Sequence, residues 1–279
     1  MIISIFIILV FLIALGTGFI GSMTGLGGGI FLTPFLVILM GIDPHYALAT
    51  SLIAVICTSS GASVTFLKEK LVNFRIGLFL ETAAIIGAPL GALIAVDMPK
   101  KLILILFALL LLYSAYANIK GTRSGQRRDF SFESDPLALK LNLPDLYTTS
   151  WGEVITYPVR KIKIGWTLMF GAGILSGVLG IGSGSLKVLA MDKMMGLPYK
   201  VSTATSNFMI GLTAMASVSV YWQEGFLIPE LVIPVIPGVL AGSYMGAKSV
   251  TKIPIHKVRW LFTIVMTIFS LQLFAKGIF

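Results

Sequence analysis

Two ionisable residues lie within apolar stretches of the sequence, where charge is costly. Glu81 interrupts the apolar run from Ile76 to Val96, and Lys187 follows the glycine cluster Gly180–Gly184. A charged side chain at the centre of a bilayer costs about 2.5–3.5 kcal/mol on the insertion scale, so a residue retained there is a functional candidate. We predict that Glu81 carries a coupling proton and that Lys187 attracts an anion. The alternative for Glu81 is an interfacial position, from which its carboxylate reaches water.

Small residues that could hold an anion occur in two similar groups. In each group, a glycine cluster with flanking hydroxyls is followed by an Ala-Thr-Ser segment. Glycine lets a membrane helix unwind, and the exposed N–H groups and the positive end of the next helix attract anions. Hydroxyl and amide groups replace an anion's water without adding charge. The predicted substrate-binding residues are Gly25, Gly27, Gly28, Gly29, Thr50, Ser51, Gly180, Gly182, Ser183, Gly184, Lys187, Thr205, Ser206 and Asn207. The alternative is that the glycines serve only close helix packing and the hydroxyls only bond to helix backbones.

The residues needed for catalysis or for a metal site do not form a recognisable set. The two histidines, His45 and His256, lie in predicted loops, where we expect solvated side chains. There is no His/Cys metal spacing and no plausible Ser/His/Asp arrangement. The single cysteine, Cys57, excludes an internal disulfide and is expected to be a small buried hydrophobe. We therefore predict neither an enzyme nor a bound cofactor or metal.

The composition indicates that lipid is the solvent for most of the protein surface. Of the 279 residues, 12% are charged and 56% are hydrophobic, whereas soluble domains carry about 25% charged residues. Several charge-free runs reach the length of about 20 residues that a membrane span needs. We predict an all-α, multi-pass protein of the cell membrane, with about eight to ten membrane segments. The net charge of +9 is assigned to cytoplasmic loops, which collect Lys and Arg, and not to nucleic-acid binding.

The chain repeats itself at a constant offset of 155 residues. The offset relates Gly16 to Gly171, Gly87 to Gly242 and Pro99 to Pro254. Each copy has a long apolar helix that runs into the glycine cluster, a segment too short to span, and three more helices. The short segments, Ile30–Met40 and Ser185–Met195, are predicted half-helices or re-entrant pieces. The predicted division is membrane repeat 1 at residues 1–119, a basic cytoplasmic insert at 120–163 and membrane repeat 2 at 164–279.

Loop charges favour opposite orientations for the two copies. The loop at Lys68, Lys70 and Arg75 is basic, whereas the matching loop of the second copy carries Glu224 and Glu230. Because basic loops stay in the cytoplasm, matching loops are expected on opposite sides, as in an inverted-topology repeat. A parallel repeat is the alternative. Within the insert, Val154–Tyr157 has strand-like residues and predicts a small hairpin.

The duplicated glycine clusters resemble the sulfite exporter TauE/SafE family of membrane transporters. The resemblance covers nearly the whole chain. Its motifs are Gly18–Gly29, Thr33-Pro34, Ala49–Ser51, Gly173–Gly184, Lys187-Val188, Thr203–Ser206, Gly87–Gly91 and Gly242–Gly246. Ser183 stands where the family pattern commonly has glycine. The resemblance implies transport of small sulfur-containing anions, such as sulfite or organosulfonates like sulfoacetate, usually as export linked to the proton gradient.

These observations lead to one hypothesis and several rivals. The hypothesis is a secondary transporter that binds its anion between the copies and works by alternating access. The rivals are a passive anion channel or uniporter, a membrane enzyme or sulfur-relay component that depends on Cys57, and a structural assembly factor. The expected partners are the anion, the lipid bilayer and protons, with no nucleic acid; the oligomeric state is left open.

Overall fold

The computed structural model describes residues 2–24, 27–68, 71–121, 133–148, 154–249 and 255–278. The first part of the chain is helical. It forms α1 Ile2–Thr24, α2 Gly29–Pro34, α3 Pro44–Lys68, α4 Phe74–Val96 and α5 Lys100–Gly121.

A short mixed segment separates the two sets of helices. It contains α6 Pro136–Lys140 and the strands β1 Asp145–Thr148 and β2 Val154–Tyr157, which pair antiparallel. The predicted hairpin is therefore confirmed. The second set is α7 Ile162–Leu179, α8 Gly184–Leu189, α9 Tyr199–Gln223, α10 Pro229–Ser249 and α11 Ile255–Ile278.

The two short helices, α2 and α8, match the predicted short segments. Each continues into a π-helical turn, Phe35–Leu39 after α2 and Ala190–Met194 after α8. Each is followed by a left-handed glycine, Gly41 (φ +65°) or Gly196 (φ +81°). Glycine adopts this conformation without strain and commonly ends helices. Both short segments therefore end in the same way, at equivalent positions of the repeat.

Five of the described helices, α1, α3, α4, α7 and α10, are long and apolar enough to cross a membrane. The other long helices, α5, α9 and α11, contain 22, 25 and 24 residues. An all-α membrane protein is thus confirmed, while the number of membrane segments stays a prediction. Proline begins α3 and α10 at Pro44 and Pro229, where a missing N–H costs nothing.

Glycine contacts join the two halves of the chain. On α4, a Cβ at Gly87 or Gly91 would overlap the backbone of α7 at Phe170 or Ile174. Between α10 and α1 the same contacts recur at positions 155 residues away: Gly242 meets Leu15 and Gly246 meets Phe19. Side chains larger than glycine would force these helices apart, so small residues set their close approach.

Helices α3 and α9 run in opposite directions. The His45 ring, at the start of α3, stacks on Phe226, three residues after the end of α9, with ring centroids 5.1 Å apart. The start of α3 therefore lies beside the end of α9. The residue before α4, Asn73, donates its backbone N–H to Thr205 near the start of α9 (3.1 Å). Helices α4 and α9 therefore begin at the same end of the bundle.

The insert packs against the start of α4. The Asn73 side chain caps α4 by accepting from Ile76 N (3.0 Å) and donates to Leu143 O (2.9 Å) and to the Tyr157 hydroxyl (2.8 Å). Burial raises the pKa of the Tyr157 hydroxyl. Buried apolar residues of the insert, Leu143 among them, join one core cluster with residues of α4 and α9. This part of the insert is therefore a folded unit attached to the membrane helices.

His45 corrects one expectation, because it is buried and not solvated. Its exposed fraction is 7%. Its Nε2 donates to the Ala95 carbonyl (3.1 Å), and its Nδ1 lies 3.1 Å from the Asp43 carboxylate. The end of α4, which carries Ala95, packs against this loop. The local sequence gives no signal for this tertiary contact.

Asp43 should contribute to stability in a pH-dependent way. Partial burial raises the pKa of its carboxyl, but hydrogen bonds from Lys100 and His45 outweigh burial, and the net pKa lies below the ordinary value. Its stabilising contribution is therefore complete above about pH 3.9 and is lost as the pH falls through the lower, folded-state pKa. We expect Asp43→Asn to lower the thermal midpoint slightly at neutral pH, because surface pairs contribute little, and the deficit should vanish in strong acid. Asp97→Asn, at an exposed position, is the control, and an equal deficit at both pH values would contradict the assignment.

A pair of glycines on α7 tests the close helix approach. A Cβ at Gly177 would overlap the Ala88 carbonyl of α4, whereas one at Gly171 meets nothing within 4 Å. We expect Gly177→Ala to destabilise the protein by about 1–3 kcal/mol through overpacking. Gly171→Ala should be neutral or stabilising by up to about 1 kcal/mol, because alanine favours helix. Thermal unfolding in detergent measures both, and similar midpoints for the two variants would refute tight packing at Gly177.

Candidate functional site

The two glycine clusters meet in the middle of the bundle. Gly27 (φ +83°) and Gly182 (φ +70°) have the same left-handed conformation, and both face the side chains of Val55 and Ile210. A Cβ added to Gly29 would lie 3.3 Å from the Gly180 carbonyl. The breaks before α2 and α8 are therefore adjacent. Gly25 lies outside the described residues.

Two predicted hydroxyls and one that was not predicted, Thr58, hold these loops in place. Ser51 on α3 lies 2.6 Å from the Gly180 carbonyl and 2.8 Å from Leu48 O, and can donate to either. Ser206 on α9 donates to the Gly184 carbonyl (3.1 Å). On α3, Thr58 accepts from the Gly28 N–H (3.2 Å). Carbonyl groups freed where a membrane helix unwinds need such partners.

Two other predicted binding residues, Thr50 and Thr205, have local structural partners. Thr50 donates to Tyr46 O within its own helix (2.8 Å), and Thr205 accepts from Asn73 N. Both contacts fit the structural alternative for these hydroxyls.

Ser183 and Asn207 keep polar atoms without partners. Their side chains are 1% and 0% exposed. Within the described part of the chain, neither Ser183 Oγ nor either amide atom of Asn207 has a hydrogen-bond partner. A buried polar group without a partner costs about 1–3 kcal/mol. These two side chains therefore retain the capacity to bind a polar ligand.

Lys187 and Glu81 form a fully buried ion pair. Lys187 on α8 donates from Nζ to Glu81 Oε2 on α4 at 3.0 Å, and the two residues are 0% and 1% exposed. Thr213 on α9 lies between them: it accepts from Lys187 and donates to Glu81 Oε1. The two residues that sequence analysis treated separately are thus one charged cluster, held by three different elements.

The buried charges occur in only one of two equivalent places. The residues 155 positions away from Lys187 and Glu81 are Leu32 and Ile236, whereas Thr213 corresponds to Thr58. The equivalent place, formed by Leu32, Thr58 and Ile236, therefore keeps the hydroxyl and lacks the charges. Sequence reasoning did not select Thr213, although its recurrence as Thr58 at the repeat offset was a usable signal.

Two adjacent glycine loops between helices, together with a buried ion pair, are typical of membrane transporters. The model of the family "Sulfite exporter TauE/SafE" matches residues 10–273. The chain belongs to this family, as the resemblance implied.

Three curated relatives illustrate the match. The chain is 29% identical to the "Probable membrane transporter protein YunE" of Bacillus subtilis, over 98% of this chain and 99% of the relative. It is 28% identical to YdhB of the same organism, with 89% and 90% covered. It is 25% identical to a "Probable membrane transporter protein" of Haemophilus influenzae, with 97% and 94% covered. No solved structure gives a significant match. These names point to membrane transporters and not to enzymes.

A double-mutant cycle tests the energetic coupling of the buried pair. Lys187→Leu and Glu81→Ile introduce the residues found at the positions related by the repeat offset, Leu32 and Ile236. Each single change leaves an uncompensated buried charge and should cost about 3–5 kcal/mol, whereas the double change should cost much less. The free energy of unfolding of all four proteins in detergent measures this coupling. Additive effects of the two single changes would contradict a coupled pair.

Proposed function

We propose that this protein is a secondary transporter of small sulfur-containing anions, with sulfite and organosulfonates such as sulfoacetate as candidate substrates, and that it exports them in a proton-linked cycle. The observation that carries the proposal is the buried Lys187–Glu81 pair, whose lysine follows the second of two adjacent glycine loops. The chain that holds this pair is a member of the sulfite exporter family. The pair provides a cation for an anionic substrate and a carboxylate for a proton.

Ser183 and Asn207 support a neutral part of the proposed binding site. Both have unpartnered polar atoms in a buried place. Each is adjacent in sequence to one of the two residues, Gly184 and Ser206, whose hydrogen bond joins the second glycine loop to α9. An incoming anion supplies the missing hydrogen-bond acceptor for the amide N–H₂ and the hydroxyl. Lys187 then supplies the charge that neutral donors lack.

We propose that the two copies are inverted repeats and that α2 and α8 are re-entrant half-helices. Opposite directions of α3 and α9 support the inversion, because these helices occupy equivalent places in the two copies. The reciprocal packing of α4 on α7 and of α10 on α1 agrees with it. Rocking of one half against the other would expose the central loops to each side in turn.

The basic insert suggests which side is cytoplasmic. Residues 120–163 carry eight Lys and Arg residues, at 120, 123, 127, 128, 140, 160, 161 and 163, and such segments remain in the cytoplasm. The insert packs at the start of α4, so Glu81, seven residues after Phe74, lies on the cytoplasmic half of that helix. This placement suits a site that collects its substrate from the cytoplasm.

Glu81→Gln provides the test of proton linkage. In proteoliposomes, the wild-type protein should accumulate sulfite or sulfoacetate when a pH gradient is imposed. Glu81→Gln should retain downhill flux and lose the accumulation, because an amide carries no transferable proton. Glu230→Gln, which changes an exposed glutamate at the start of α10, is the matched control and should behave like the wild type.

The possible results separate the rival functions. Gradient-driven accumulation that persists in Glu81→Gln would refute the role of Glu81. Flux that is only downhill in the wild-type protein would indicate a channel or uniporter. Loss of activity in Cys57→Ser, with normal folding, would favour the sulfur-relay alternative.

A further inference from the structure

Glu81 occupies the hydrogen-bond donors that an anionic substrate would need. Its two carboxylate oxygens are used differently: Oε2 accepts from Lys187 and Oε1 accepts from Thr213. The lysine and the threonine come from α8 and α9, whereas the carboxylate comes from α4. Helices α8 and α9 thus supply the hydrogen-bond donors, and α4 supplies a carboxylate of the protein itself that accepts from them.

We infer that the Glu81 carboxylate is the resident anion of a substrate subsite formed by Lys187 and Thr213, and that a transported anion enters this subsite only when a proton neutralises Glu81. This inference rests on the proposed function and specifies its coupling step. It also makes Thr213 a substrate ligand. The expected ligand has at least two oxygens on one atom, as a sulfonate or sulfite has. This follows because the carboxylate engages the two donors through two oxygens.

Repulsion between like charges makes the Glu81 carboxylate and the substrate anion compete for Lys187. An anion bound to Lys187 while Glu81 stays ionised would place two negative charges within a few ångströms in a buried site, which is strongly unfavourable. A proton on Glu81 removes one of these charges and weakens the hold of the carboxyl group on Lys187. The ammonium group then pairs with the substrate, and the proton and the anion leave the site together.

The surroundings of Glu81 contain few other groups that titrate. Lys187 is its ion-pair partner in the described part of the chain. Helices α7 and α9 pack against α4, and α8 reaches it through Lys187. Other ionisable residues lie on these helices, on the π-helical turn after α8, on the docked hairpin and on α4 itself: Arg75, Asp145, Tyr147, Tyr157, Lys163, Asp192, Lys193, Tyr199, Lys200 and Tyr221. Of these, Arg75 donates to Asn142 O, Tyr221 donates to Gly177 O and Tyr157 accepts from Asn73.

The inference sets the direction of coupling. Proton and anion occupy the site together, so they cross the membrane in the same direction. A monovalent anion then leaves the cell with one proton and no net charge, so the membrane potential neither favours nor opposes its export. Export would thus be driven by the combined gradients of the anion and the proton.

Equilibrium binding of methanesulfonate to the purified full chain in detergent tests the inference. Its charge is constant from mildly acidic to neutral pH, so any pH dependence comes from the protein. For the wild type, we expect affinity to rise about tenfold per unit of falling pH while Glu81 is ionised, as uptake of one proton per anion requires. Glu81→Gln should bind at neutral pH as tightly as the wild type does in acid, with no pH dependence. Wild-type affinity that is independent of pH, or loss of binding in Glu81→Gln with an unchanged thermal midpoint, would overturn the inference.

Thr213 provides a second, independent readout. Thr213→Val should weaken methanesulfonate binding in acid about tenfold, as loss of a hydrogen bond to a charged group predicts, and Thr213→Ser should restore it. Thr82→Val makes the same change at an exposed position next to Glu81, where the hydroxyl contacts Trp166 and Phe79, and should leave binding unchanged. Equal affinity of Thr213→Val and wild type, or chloride binding as tight as methanesulfonate, would refute the two-donor subsite.

These outcomes are distinct from failure of the proposed function. Suppose that Glu81→Gln loses proton-driven accumulation but that methanesulfonate binding by the wild type is independent of pH. The protein is then a proton-coupled transporter, and the inferred competition between Glu81 and the substrate anion is refuted. If neither the wild type in acid nor Glu81→Gln binds methanesulfonate or sulfite, the anion subsite itself is refuted, whatever the flux assays show.

Discussion

The charge on Lys187 is the constraint on which the centre of this molecule depends. The side chain is completely buried, and an isolated ammonium group in such a place would be far too costly to retain. It is tolerated because Glu81 supplies an opposite charge and Thr213 a further hydrogen-bond acceptor. Each partner comes from another helix, so α4, α8 and α9 must meet at one point. The positions of these helices therefore follow from the need to neutralise one charge.

The glycines make that meeting possible. Lys187 lies on a helix of six residues that begins directly after the second glycine loop, so the loop determines how deeply the lysine is placed. Gly182 adopts a left-handed conformation, and a Cβ there would overlap Ile210 on α9. The glycines of α4 and α7 bring these helices to backbone contact. Glycine thus supports the site twice, once by breaking a helix and once by allowing helices to approach.

Sequence patterns predicted the elements better than the contacts between them. The repeat, the short segments and both buried ionisable residues were visible, because each depends on local composition or on a constant offset. The pairing of Glu81 with Lys187 was not, since these residues are 106 positions apart and lie in different copies. Thr213 was missed because a hydroxyl in a helix ordinarily bonds to its own backbone, and Met209 O lies within reach of the Thr213 hydroxyl as an alternative acceptor to Glu81. His45 was misplaced because its burial depends on Phe226, far along the chain.

The net charge of the buried cluster explains how one ion pair can couple two ions. With Glu81 ionised and no substrate, the cluster is neutral. With Glu81 protonated and a monovalent anion on Lys187, it is neutral again. The two other combinations, a proton without an anion or an anion without a proton, leave a net charge in a buried site and are penalised by desolvation. Since the place related by the repeat offset carries Leu32 and Ile236, no second charged cluster offsets such an imbalance there. In the proposed cycle, coupling of one proton to one anion would then follow from burial, provided that the helices rearrange only when the cluster is neutral.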